Sequence, residues 1–265
     1  MTSIALTIAG SDSGGGAGIQ ADIKTFSALG AYAASVITAI TAQNTRGVTG
    51  VEDISVATIV AQMDAVFSDL DVNAVKIGMV SRIETIAAIA ERLRQQSQPV
   101  VLDPVMVATS GDRLLQEDAI ETLQRELLPL ATIVTPNLPE AALLAGTPIA
   151  ETEQEITRQA ELILKTGAKA VLIKGGHGDG PESTDYLFAD GTMRALSAPR
   201  VDTKNDHGTG CTLAAAITAH LAMGHELREA VGLAKDYLNG ALAAGRGLAV
   251  GHGRGPVHHF YRWWG

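Results

Sequence analysis

Cys211 is the single cysteine among 265 residues, so no disulfide can form within the chain. That suits a reducing, cytoplasmic compartment. Aromatic residues are scarce at 4%, which speaks against an aromatic-rich β-sandwich. Positive charge is also short: 20 Lys+Arg face 29 Asp+Glu, for a formal net charge of −9. A nucleic-acid binder needs a basic face to neutralise phosphates, so nucleic acid is not an expected partner. No uninterrupted apolar stretch reaches the ~18 residues of a spanning helix, and no membrane partner is expected. Met1-Thr2-Ser3-Ile4 lacks a basic segment leading into a long apolar run, so a signal peptide is not expected.

Apolar residues and glycine are plentiful. Hydrophobic residues make up 46% of the chain, and there are 28 glycines. The first supports a large core, the second tight turns around a parallel sheet. Short β-like runs alternate with longer helix-like stretches. Ile4–Ala9, Ala33–Ala42, Ala74–Ile77, Val100–Val105, Ile133–Thr135 and Ala170–Ile173 read as strands. Ile19–Leu29 (ending at Gly30), Val56–Leu70, Ile83–Gln95, a segment from Asn137, Glu153–Thr166, Thr209–Met223 and Leu227–Ala244 read as helices. Apolar strands between helices imply a parallel sheet covered on both faces. Thr184–Ala198 breaks the rhythm: Asp190-Gly191 favours a type I′ turn, so this segment reads as a β-hairpin. With no repeat, linker or composition shift, residues 1–265 read as one domain.

Four segments point to chemistry. Gly10-Ser11-Asp12-Ser13-Gly14-Gly15-Gly16-Ala17-Gly18 lies between a strand and a helix, where missing Cβ atoms let backbone approach a ligand. It is no dinucleotide fingerprint, since the third required glycine is Ile19, and no Walker A sequence exists. Asn205-Asp206-His207-Gly208-Thr209-Gly210-Cys211-Thr212 precedes an apolar helix. Inward N–H groups and the helix dipole would make an anion hole there, with the Cys211 pKa expected to be lowered. Asp103 follows a strand, where carboxylates face the ligand crevice of parallel sheets. Asn137 and Glu140, three apart, could hold hydrated Mg²⁺ or simply form a capping box. Lys174-Gly175-Gly176-His177 also follows a strand, and Lys174 could meet phosphate charge or be an ordinary surface lysine. His252, His258 and His259 match no zinc spacing and read as a solvated tail, and Trp263 and Trp264 as packing for the terminus.

Together the segments resemble the ribokinase-like superfamily, specifically the hydroxymethylpyrimidine/phosphomethylpyrimidine kinases of thiamin biosynthesis. The resemblance runs from AGSDSGGGAGIQADIKTF through TAQNTRGV (Thr41–Val48), KIGM (Lys76–Met79), DPVMVATSGDRLL (Asp103–Leu115) and TPNLPEA (Thr135–Ala141) to IKGGH, HGTGCTL and GHGRGPVHHF. It implies a three-layer α/β/α sandwich with a mostly parallel central sheet, and a homodimer. It implies transfer from ATP, with Mg²⁺, to 4-amino-5-hydroxymethyl-2-methylpyrimidine and then to its monophosphate. By the same resemblance Gln43 reads the pyrimidine, and Gly10, Asp22, Met79 and Val105 line the substrate side. Asp103, Asn137 and Glu140 organise Mg²⁺ and phosphate; Asp103 and Glu140 reach the metal directly or through water. Lys174 faces phosphate, and Gly208, Thr209, Gly210 and Cys211 form the anion hole beside the accepting oxygen. Cys211 stands where most sugar kinases of the superfamily carry Asp, which favours the pyrimidine branch. One departure is Asp206, where the family pattern has Thr; its charge is expected to alter nucleotide affinity. Two alternatives are a pyridoxal or pyridoxine kinase of the same fold and a non-catalytic pyrimidine-binding protein. The latter would have no use for Asp103, Lys174 and the Gly-Thr-Gly turn.

Overall fold

The computed structural model describes residues 2–106, 117–176 and 180–264. Motif residues 107–115 and His177 lie outside the described residues. Nine strands form one sheet: β1 (Ile4–Asp12), β2 (Tyr32–Asn44), β3 (Gly47–Asp53), β4 (Ala74–Ile77), β5 (Val100–Leu102), β6 (Ile133–Val134), β7 (Ala170–Ile173), β8 (Glu182–Ala189) and β9 (Thr192–Pro199). Their order is β3-β2-β1-β4-β5-β6-β7-β8-β9. The stretch from β2 to β7 is parallel. β3 joins one edge antiparallel, and the β8–β9 hairpin joins the other.

Strand side chains alternate between faces, and the sheet uses this to build two cores. Val100 and Leu102 pack into one core and Val101 into the other. The first core takes the buried stripes of α2 (Val56–Asp69), α3 (Ile83–Leu93), α4 (Glu117–Glu126), α5 (Leu138–Ala145) and α6 (Glu153–Leu164). The second face takes α1 (Gly18–Leu29), α7 (Thr209–Ala222) and α8 (Leu227–Gly245). The expected α/β/α sandwich with a mostly parallel central sheet is therefore present.

Two elements escape the sequence pattern. Every residue of β3 is exposed, so it carries no buried alternation to read. α4 buries only a narrow stripe, Ala119, Ile120 and Leu123, among acidic and polar residues. β1 runs on to Asp12, past the expected end at Ala9, and so carries the first glycines into the sheet. β5 stops at Leu102, short of the expected Val105, whose φ of +32° is incompatible with a strand. Asp190 and Gly191 have φ of +50° and +71°, as a type I′ turn requires. The tail is solvated only in part: His252 is exposed and His258 half-buried, but other residues pack. His259 is buried against Thr212, and Tyr237 donates to its carbonyl. Trp264 stacks on Phe260, and Trp263 donates to Ala28 O, although both indoles stay largely exposed.

Candidate active site

Three neighbouring parallel strands end at one place. Asp103 follows β5, Thr135 follows β6 and Lys174 follows β7. Lys174 Nζ and Thr135 Oγ1 both donate to Asp103 Oδ1, at 2.8 and 3.2 Å. Burial works against the charge of Lys174. Asp103 and Glu140 outweigh it and hold the ammonium above its ordinary pKa. The start of α7 faces this pair: a Cβ added to Gly210 would lie 3.3 Å from Lys174 Nζ and 3.7 Å from Asp103 Oδ2. A cation, a carboxylate and unpaired helix N–H groups thus converge on one point. The turn itself belongs to Gly208, the αL cap with φ of +79°. A Cβ on Gly208 would sit 1.9 Å from Gly16 O, so the two glycine segments lie in backbone contact.

Asp12 and His207 join those segments. Asp12 accepts from the N–H groups of Gly14, Gly16 and Ala17, and His207 Nε2 lies 2.9 Å from its Oδ2. Neither residue had been assigned a role from sequence; a carboxylate inside a glycine run was the available signal. Lys76 had no assigned role either, although a lysine within Ala74-Val75-Lys76-Ile77 is conspicuous. Val75 and Ile77 fill one core, so Lys76 must point the other way, beside its register partner Thr7. There Lys76 Nζ and Thr7 Oγ1 meet Asp22 Oδ2 at 2.8 and 2.6 Å. Lys76 and Asp22 are both fully buried, and Asp22 Oδ1 has no partner. Burial pulls Lys76 toward neutrality, but the Asp22 and Asp103 charges outweigh it and keep the lysine protonated.

The other resemblance-derived residues fall around this centre. Met79 fills the space beside Gly10, with its Cε 2.7 Å from where a Cβ would stand. Gln43 is half-buried beside His207 and Thr41. Asn137 and Glu140 do form a capping box: each side chain accepts the other's backbone N–H. The second oxygen of Glu140 accepts from Met106 N, so the carboxylate holds the Val105–Met106 turn against α5. Among the described residues no group of three or more His, Cys, Asp or Glu side chains is spaced for a metal. The donors present still fit a hydrated Mg²⁺. Asp103 Oδ2 has no hydrogen-bond partner among the described residues and faces the helix start, while both Glu140 oxygens already accept backbone N–H groups.

One expectation is corrected. Cys211 does not have a lowered pKa: burial pushes the thiol up to about 11, with the Asp22 and Asp103 charges adding to it against Lys76. The helix dipole loses because desolvation of a thiolate is the larger effect here. Cys211 is therefore a thiol at neutral pH. Its alkylation by iodoacetamide should be slow at pH 8 and still climbing at pH 10; a rate that levels off near pH 8 would show an activated thiolate. The carboxylate of Asp206, beside the helix start, is paired. Arg254 pairs with both its carboxylate oxygens at the surface.

A family model described as phosphomethylpyrimidine kinase matches residues 12–258. A hydroxymethylpyrimidine/phosphomethylpyrimidine kinase from Rhizobium meliloti (strain 1021) is 67% identical over 264 residues, covering 100% of this chain and 99% of the relative. A phosphomethylpyrimidine kinase crystal structure from Clostridium difficile 630 is 49% identical, covers 90% of this chain and 98% of its own, and has a TM-score of 0.80. An ADP complex of Bacillus subtilis pyridoxal kinase is 36% identical over 99% of both chains, with a TM-score of 0.92. The match spans the glycine segments, the strand-end carboxylate and lysine, and the helix start, and the chain belongs to the phosphomethylpyrimidine kinase family.

Proposed function

We propose that residues 1–265 form one kinase domain that phosphorylates 4-amino-5-hydroxymethyl-2-methylpyrimidine and then its monophosphate, with ATP and Mg²⁺, for thiamin biosynthesis. The observation that carries this reading is the meeting of Lys174, Asp103 and the α7 N-terminus at one point. Phosphoryl transfer asks the protein for positioning and charge stabilisation more than for covalent chemistry. The N–H groups of Gly208, Gly210 and Cys211 receive the oxygens of the transferring group, that of Thr209 being held by Asp206 O, and Lys174 balances their charge. Asp103, backed by Glu140 and Asn137 through water, would hold Mg²⁺, which supplies neutralisation between phosphate oxygens when bound. Gly10, Asp22, Met79 and Val105 frame the ring, and Gln43 reads its aminopyrimidine edge. The protonated Cys211 sits beside the accepting oxygen without removing its proton. A loose transition state needs little proton removal before transfer.

The closely matching pyridoxal kinase backbone shows that this fold also serves a second hydroxymethyl ring. The higher identity to pyrimidine kinases over the full chain favours the pyrimidine. Purified protein with Mg-ATP and the pyrimidine alcohol should give monophosphate, then diphosphate, by mass spectrometry. No ADP above background with either acceptor would overturn the reading. Dimerisation is supported by the edge strand β3, all exposed, with Ile40, Val48 and Val51 about half exposed nearby. Sedimentation should give a dimer that Val51→Asp weakens; a wild-type monomer at micromolar concentration would remove this proposal.

A further inference from the structure

The carboxamide of Gln43 lies between two groups of which one, Thr41 Oγ1, can still accept a hydrogen bond and the other, His207 Nε2, cannot. Its terminal atoms stand 3.2 Å from Thr41 Oγ1 and 3.3 Å from His207 Nε2. Thr41 Oγ1 donates its one proton to Ser11 O at 2.7 Å, so toward Gln43 it can only accept. His207 Nε2 is 2.9 Å from an Asp12 carboxylate that already receives three backbone N–H groups. Burial raises the cost of that charge, but His207 and the backbone donors outweigh it and hold Asp12 below the usual carboxylate range. An ionised carboxylate offers lone pairs alone, so Nε2 carries the proton and has nothing to accept with. The Gln43 atom beside His207 is therefore the oxygen, and the atom beside Thr41 is the NH₂. Amide oxygen and nitrogen are told apart by such bonding: Thr41 supplies an acceptor for the NH₂, and the Nε2–H of His207, whose one proton goes to Asp12, repels an NH₂ placed beside it.

We propose that Thr41 and His207 are positioning residues for specificity: they lock the polarity of the Gln43 amide. The locked amide takes a ring whose exocyclic donor lies on the His207 side and whose ring-nitrogen acceptor lies on the Thr41 side. One lone pair and one N–H remain free on Gln43 for that edge. This rests on the reading of Gln43 as the ring-reading residue. A free glutamine amide turns over and serves either polarity. A locked one rejects a 4-oxo pyrimidine, whose carbonyl accepts and whose ring N–H donates. Donor then faces donor and acceptor faces acceptor in a partly dry pocket, a discrimination on the order of 10²-fold.

The test measures calorimetric affinity and kcat/KM for the 4-amino alcohol and its 4-oxo analogue. The wild-type chain should prefer the amino ring by about 10²-fold. Thr41→Val/His207→Phe should lower that preference at least tenfold, chiefly through better binding of the oxo ring, and Thr41→Ser should retain it. If Gln43→Ala leaves amino-ring binding intact, the reading of Gln43 fails and the lock with it. If Gln43→Ala weakens binding while the double variant keeps the full preference, the lock alone is wrong. ¹⁵N spectra of the wild-type protein check it without a variant: His207 should be protonated at Nε2, and an Nε2 lone pair at neutral pH would overturn the proposal.

Discussion

Gly210→Val should lower turnover by about 10²–10³-fold, the cost of losing one preorganised anion-stabilising donor in comparable sites, about 3–4 kcal/mol. The reason is position rather than backbone conformation. Gly210 lies within the first turn of α7, and the strained turn is taken by Gly208. A side chain at Gly210 would enter the space before Lys174 Nζ and Asp103 Oδ2, on the proposed path of the phosphoryl group. Its methyls would displace the lysine or shield the helix N–H groups. α7 itself tolerates valine at modest cost, so the melting temperature should change little. Binding of the pyrimidine alcohol alone should survive in part, because its ring contacts lie elsewhere. Near-normal turnover in this variant would remove the helix start from the chemistry.

Lys76→Met should destabilise the protein by about 3–5 kcal/mol, the usual cost of leaving a buried charge without its partner. Both side chains of the Lys76–Asp22 pair are fully buried. Asp22 Oδ1 is already unpartnered, and burial pushes the Asp22 carboxyl up, so the aspartate has little to fall back on. Only Thr7 would remain on Oδ2. Adding Asp22→Asn removes the stranded charge and should recover much of the lost stability in urea unfolding. A loss below about 1 kcal/mol for Lys76→Met would mean that the pair is not ionised in the folded state. The pair also lies within electrostatic reach of Cys211. Removing Lys76 should therefore raise the pH at which Cys211 alkylates.

What local pattern can carry, the sequence carried. Helices such as Gly18–Leu29 announced themselves by spacing and by the Gly30 cap, whose φ is +93°. The hairpin turn at Asp190-Gly191 was legible because few residues accept two positive φ values in succession. Asp103 and Lys174 were legible too, because a buried apolar run followed by a charge marks the ligand side of a parallel sheet, although the ends of β1 and β5 were misplaced. Asn137 and Glu140 show the limit of this: their spacing suited a metal site and a cap equally, and the three-dimensional hydrogen bonds show the cap. Packing alone decided the rest. Asp12 and His207 are 195 positions apart, and no local rule pairs them. Lys76 meets Asp22 because β4 lies beside β1 in one register, which sets Lys76 beside Thr7 under α1. The rise in the Cys211 pKa had the same origin. A helix start favours a thiolate by a local field, but desolvation is a property of everything packed around it, and only the folded chain supplies that.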